Sequence, residues 1–180
     1  MRFSASRDDD SSAADPPIVS FVGKSNAGKT TLLGEVISEL RARKISVGVM
    51  KHHHHATSFD TAGKDTFRLS ASGADLVVGV SPVQVATFRR IVDPNVDDIL
   101  RSAFAGIDIV LMEGYKRGPY PKIEVVRAER SAELLCSEDE LLAVVADFDL
   151  AIGVAQFQPD DALGVAAFLI DWITRRNDAP

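Results

Sequence analysis

The sequence predicts an α/β fold, a mostly parallel sheet with helices on both faces. Three observations carry that expectation. Short apolar runs rich in β-branched residues alternate with stretches of helical periodicity from Ile18 onward. Several of the runs, 107–112 and 141–146 above all, are apolar at nearly every position, as strands covered on both faces are. Between the first strand and the first helix stands Gly23-Lys24-Ser25-Asn26-Ala27-Gly28-Lys29-Thr30, a G-x-x-x-x-G-K-T spacing in the strand-to-helix setting that makes it a P-loop. The three-layer P-loop NTPase fold is therefore the expected architecture.

Composition bounds the rest. The chain has 180 residues, 46% of them apolar, which suits one well-packed domain better than two. Residues 1–17 are polar, with an Asp8-Asp9-Asp10-Ser11-Ser12 run, and read as a flexible tail; residues 18–176 read as a single nucleotide-binding domain. With 20 Lys and Arg against 26 Asp and Glu the net charge is −6, the opposite of a nucleic-acid binder's balance. One cysteine, Cys136, precludes an internal disulfide, fits a reducing compartment and reads best as a small buried hydrophobe. No apolar run reaches membrane-spanning length and the N-terminus lacks a signal peptide's apolar core. A soluble, cytoplasmic protein that contacts neither nucleic acid nor membrane is expected.

Taken in order, residues 18–22 form the first strand, and Leu32, Leu33, Val36, Ile37 and Leu40 mark one face of the helix after the glycine loop. Residues 45–50 read as a second strand, followed by a polar, His-rich loop at 51–64 that is long for a connector. A short helix over 64–72 ends at Gly73, and strands at 75–80 and 84–88 are joined by a Ser81-Pro82 turn. Asp93-Pro94 opens a helix through Phe104. Strands follow at 107–112, at 122–127 with Ile123, Val125 and Arg127 alternating with polar neighbours, and at 141–146. The last helix, 160–176, places Leu163, Ala167, Ile170 and Ile173 on one face.

Parallel sheets bind ligands beyond the carboxyl ends of their strands. The glycine loop, Lys51, Glu113 and Asp147 all fall at such ends. Gly23 and Gly28 let the backbone turn and approach a phosphate, whose charge meets inward N–H groups and the positive end of the helix. Lys29 supplies a mobile cation for the β- and γ-phosphates, and Thr30 a hydroxyl for Mg²⁺. A P-loop enzyme also needs a carboxylate near the metal. Glu113 ends its strand on the phosphate side, whereas Asp108 lies roughly 16 Å away at the other end, so Thr30 and Glu113 are the expected metal pair.

His52, His53, His54 and His55 are consecutive and are the chain's only histidines. A pair of them offers Zn²⁺ or Ni²⁺ ligands, but too few for a tetrahedral site; a polar switch loop or a phosphate-contacting imidazole are the other readings. Asp65 reads either as a catalytic group that orders an attacking water or as a helix N-cap. Lys116 and Arg117 read equally as phosphate-side cations and as surface charges.

Over 18–174 the chain resembles the molybdopterin-guanine dinucleotide biosynthesis protein B (MobB) family of P-loop GTP-binding proteins. The residues that carry the likeness are the glycine loop through Leu33, Lys51-His52 with His55, Asp60 and Gly63-Lys64-Asp65-Thr66, Glu113-Gly114-Tyr115-Lys116 with Pro121-Lys122-Ile123-Glu124-Val125, and Ala146-Asp147. Ser25-Asn26-Ala27-Gly28 departs from the family's usual Ser-Gly-Ser-Gly, and Ala62 and Thr66 from its frequent Pro and Ser. The resemblance implies GTP and Mg²⁺ as cofactors, slow hydrolysis at most, a homodimer, and a guanylyltransferase partner that attaches GMP to molybdopterin. The pterin or its guanine dinucleotide is the implied further ligand. The expected nucleotide-binding set is Gly23, Lys24, Ser25, Asn26, Ala27, Gly28, Lys29, Thr30, Thr31, Lys51, His52 and Asp147. Asp147 stands where a guanine-reading carboxylate would sit, and Lys24 where a related class of dimers carries a lysine that reaches the partner's nucleotide. Residue types leave guanine versus adenine open. The alternatives are a nickel or zinc chaperone GTPase using the histidine run and a small-molecule kinase.

Overall fold

The computed structural model describes residues 15–53 and 55–177. Along the chain lie β1 (Ile18–Val22), α1 (Lys29–Ala42), β2 (Val47–Lys51), α2 (Asp65–Ala71), β3 (Leu76–Val80), β4 (Val85–Arg89), α3 (Val96–Ala103), β5 (Ile109–Glu113), β6 (Lys122–Val126), β7 (Leu141–Ala146), β8 (Ala155–Phe157) and α4 (Ala162–Asn177). They fall into two compact units, one made of the described residues up to His52 and from Leu100, the other of His53–Ile99.

In the first unit six strands pair in the order β2-β5-β1-β6-β7-β8, every pairing parallel. β1 is therefore central, with β5 on one side and β6 on the other, and the chain's crossover between the two halves happens beside it. Val110 N–H donates to Pro17 O at 2.9 Å, so the ladder begins one residue before β1. One face of the sheet, built from Val19, Phe21, Leu111, Ile123 and Val145, packs against Leu32, Leu33, Val36 and Leu40 of α1 and Val165, Ala166, Leu169 and Ile173 of α4. Each large side chain removed from water there contributes about 1.5–3 kcal/mol, so this layer is the main source of stability. Helices flank the sheet on both faces. On the opposite one Phe104, just past α3, lies over Gly48, where a Cβ would meet its ring at 2.4 Å. Leu134, Leu135, Cys136 and Ile152 cover Val22, Val126 and Val144.

The helix face expected over 160–176 needs correction. The buried stripe of α4 is Ala162, Val165, Ala166, Leu169 and Ile173, while Leu163 and Ala167 are exposed. α4 is apolar on most sides, and the sheet selects the stripe. The polar neighbours in β6 are buried: Lys122 and Glu124 are 2% and 1% exposed. Lys122 Nζ donates to Gly118 O, Tyr120 O and Glu140 Oε1 at 3.0, 3.2 and 2.8 Å. Glu124 accepts the N–H groups of Leu135 and Cys136 at 2.6 and 3.0 Å. Burial without these partners would cost several kcal/mol per charge.

In the second unit β3 and β4 form a separate antiparallel hairpin, with Leu76 opposite Arg89 and Val80 opposite Val85. The turn closes through Ser81, whose hydroxyl accepts Gln84 N–H at 3.0 Å. α2 lies beside β3, and Gly73 follows it with φ +109°, a conformation suited to a helix end. The helix expected from Asp93-Pro94 starts later because Asn95 is its cap, its Oδ1 accepting Asp97 N–H at 2.9 Å.

Candidate functional site

The glycine loop is shaped by contacts that only certain residues allow. At Gly23 (φ +144°) an added Cβ would stand 2.3 Å from Val125 O, so the loop leaves β1 pressed against the β6 backbone. Asn26 has φ +61°, a left-handed conformation that Asn tolerates best among residues with a side chain, which explains how it serves where glycine is usual. Gly28 (φ +93°) caps α1 without a side-chain bond, and no acidic residue occupies the first turn. The helix thus presents N–H groups and positive potential with nothing of its own to neutralise them.

Lys29 Nζ folds back over the loop and donates to Gly23 O and Lys24 O at 3.0 and 2.8 Å. Its pKa lies below the usual lysine value, mainly through burial and further through Lys51, with Glu113 opposing. β5 lies between β1 and β2, so Glu113 is level with both Phe21 and Lys51 in the ladder. Thr30 Oγ1 donates to Glu113 Oε1 at 2.9 Å, and Glu113 Oε2 lies 3.3 Å from Lys51 Nζ. These groups, with Ser25, Asn26, Gly28 and Thr31, line a polar cavity of about 450 Å³. A hydroxyl and a carboxylate converging beside an ammonium are the hard oxygen donors Mg²⁺ takes, next to a phosphate-binding cation.

The other expected residues are placed as follows. Lys24 is exposed and contributes its carbonyl, and Ala27 is buried in the loop. Asp147 Oδ1 accepts Ala128 N–H at 2.9 Å, tying the ends of β7 and β6. His52 N–H donates to Glu113 O at 3.0 Å while its ring packs on Tyr115, centroids 4.5 Å apart. His53 faces Phe59 at 5.5 Å, and His54 lies outside the described residues. Among the described residues no three His, Cys, Asp or Glu side chains are grouped to hold a metal ion. Asp65, in the second unit, is the exposed first residue of α2; the N-cap is Lys64, so the capping alternative for Asp65 does not hold. Asp108 accepts the N–H and hydroxyl of Ser46, both at 2.7 Å, and these bonds hold its carboxyl below the usual range. It staples the start of β5 instead of facing the phosphate side.

One site residue escaped the sequence reading. Arg127 Nε donates to Ala27 O at 3.1 Å, and its Nη2 would lie 3.1 Å from a Cβ on Gly28. A cation thus braces the loop from outside. The available signal was its position just after β6, at the same sheet edge as the other groups.

The family model described as "Molybdopterin guanine dinucleotide synthesis protein B" matches residues 18–147. The chain is 34% identical over 159 residues to the molybdopterin-guanine dinucleotide biosynthesis adapter protein of Haemophilus influenzae, covering 87% of this chain and 89% of that one. It is 32% identical over 167 residues to the protein of that name from Escherichia coli, covering 89% and 95%. Among solved structures, that of Bacillus subtilis MobB superposes with a TM-score of 0.69 at 27% identity, over 86% of this chain and 96% of the other. Among the described residues no helix is long and apolar enough to cross a membrane.

Proposed function

The chain belongs to the MobB family, and on that premise we propose that it is a GTP-binding accessory protein of molybdopterin-guanine dinucleotide biosynthesis. Its proposed partner is the guanylyltransferase that attaches GMP to molybdopterin. The observation that carries this reading is the meeting of Thr30 and Glu113 at 2.9 Å beside the Lys29 ammonium, within the glycine-loop cavity.

The chain's own groups account for the binding chemistry. Lys29, now on the Gly23 and Lys24 carbonyls, and the N–H groups of the first turn of α1 would hold the phosphates. Thr30 and Glu113 would hold Mg²⁺, which when bound neutralises phosphate charge. Lys51 balances the Glu113 carboxylate. Among the described residues the lining has no histidine and no carboxylate besides Glu113, which is itself engaged by Thr30 and Lys51. This favours slow hydrolysis. Asp65 is the proposed water-orienting carboxylate, and Asp147 the proposed guanine contact. Leu76, Val78, Val80 and Val85 are exposed together on one face of the hairpin, which supports a homodimer. A cytoplasmic location accords with the free cysteine.

The test is a calorimetric titration with GTP and ATP, each with and without Mg²⁺. GTP should bind more tightly than ATP and more tightly with Mg²⁺; Lys29→Ala should abolish binding and Glu113→Gln should remove the Mg²⁺ dependence. Unaltered GTP affinity in Lys29→Ala would overturn the assignment.

A further inference from the structure

We propose that the second unit carries a binding pocket of its own, for a planar heterocycle with an aminopyrimidinone edge and an anionic substituent. A cavity of about 630 Å³ opens there between the 57–60 loop, α2 and β4, and Phe59, Phe67 and Phe88 are among its walls. That volume is in the range of small-molecule sites, and aromatic walls suit the faces of a flat ring.

The polar groups define the edge. Asp60 lines the cavity; its Oδ1 accepts Thr61 N–H at 2.8 Å. Its Oδ2 is shielded from solvent and has no hydrogen-bond partner among the described residues. A carboxylate oxygen in that condition costs free energy until a donor reaches it. An aminopyrimidinone presents a ring N–H and an amino group side by side, the bidentate complement of a carboxylate. Arg89 and Arg90 also line the cavity. Arg90 is fixed by a 2.9 Å bond from Nη2 to Ser70 O, and its guanidinium has further N–H donors for an anion.

Pterins and guanine share this edge, and the choice of ring class rests on the function proposed above; the pocket and its carboxylate do not. The phosphate chemistry of the glycine loop uses none of these residues.

The experiment uses the full chain. Pterin-6-carboxylate is titrated by its own fluorescence, with and without a non-hydrolysable GTP analogue and Mg²⁺, against lumazine-6-carboxylate, in which an oxo group replaces the 2-amino donor. A parallel arm titrates GMP and AMP into Lys29→Ala. The pterin should bind at least about tenfold more tightly than the lumazine, from the loss of a hydrogen bond to a charged acceptor. Asp60→Asn, which keeps the side-chain shape, should remove that preference, and Phe88→Ala should weaken both probes. If GMP and not the pterin shows Asp60-dependent binding, the aminopyrimidinone site stands with guanine as its ring. Absence of both, or binding indifferent to Asp60→Asn and to the 2-amino group, overturns the proposal. GTP affinity, read on the same samples, should be unchanged by Asp60→Asn; its absence from the wild type would overturn the proposed function and leave the pocket's test intact.

Discussion

Gly23→Ala offers a direct test of how the glycine loop is built. Two costs add at that position. The backbone sits at φ +144°, where a residue with a Cβ is strained by about 1–3 kcal/mol. The new methyl would also lie 2.3 Å from Val125 O, a main-chain atom in the β6 ladder that has no rotamer to escape into. Reaching van der Waals contact requires roughly 1 Å of separation between the loop and β6, and overpacking of this kind costs about 1–3 kcal/mol. The sum, about 2–6 kcal/mol, is a large fraction of a typical domain's stability. Gly34→Ala is the control: this glycine lies inside α1 with nothing within 4 Å of its prospective Cβ, so the substitution should stabilise by about 1 kcal/mol. Urea denaturation followed by circular dichroism reads both. Gly23→Ala should lower the midpoint well below wild type and weaken GTP binding, because the displaced loop no longer aims its N–H groups at one point. If the two variants shift the midpoint in the same direction, the close approach to β6 is not what demands glycine.

Arg127→Ala removes the bond to Ala27 O, and with the guanidinium half-exposed the loss of stability should be about 1 kcal/mol. GTP should bind roughly 5–10-fold more weakly by calorimetry; equal affinity would remove the bracing role. Glu140 is held down to about 2 from an ordinary 4.5, chiefly by Lys122 and then by Ser137. A depressed carboxylate adds stability above its unfolded pKa and loses it as pH falls through the folded one. Glu140→Gln should therefore lower the urea midpoint at pH 6, and the gap should close between pH 4.5 and about 2; a gap independent of pH would refute the ion pair's part. Burial and the carboxylates of Glu124 and Glu140 push the Cys136 thiol up to about 11. Against an ordinary thiol at 9.0 its thiolate fraction at neutral pH is down roughly 100-fold, so alkylation by iodoacetamide should be correspondingly slow and rise with pH. Labelling at the rate of an exposed thiol would contradict that burial.

What could be read from the residue order is what local sterics dictate. The strand, loop and helix from Ile18 to Ala42 are largely such a case: the apolar run, the glycine spacing and the helical period are local patterns, and Asn26 at φ +61° keeps to a local rule, whereas the contact that demands glycine at 23, Val125 O, comes from β6. α4 is different. Leu163 and Ala162 compete for the same stripe, and apolar residues occur on most of its sides, so helical periodicity leaves the choice to the sheet it meets. The charges of β6 depend on tertiary structure still more. Alternation at Lys122 and Glu124 is the signature of a half-solvated strand, yet β6 lies between β1 and β7, and Glu140 and the 135–136 backbone take up the charges only once the chain has returned. Arg127 and Ala27 stand 100 residues apart, and a main-chain carbonyl leaves no mark in a sequence. One rule would nevertheless have found Arg127. Lys51, Glu113 and Asp147 stand out because each ends or follows a parallel strand, and a parallel sheet delivers all such ends to one edge. Applied to β6 without regard to residue type, the same geometry names Arg127. The topology, more than any motif, makes a cation at that place part of the site.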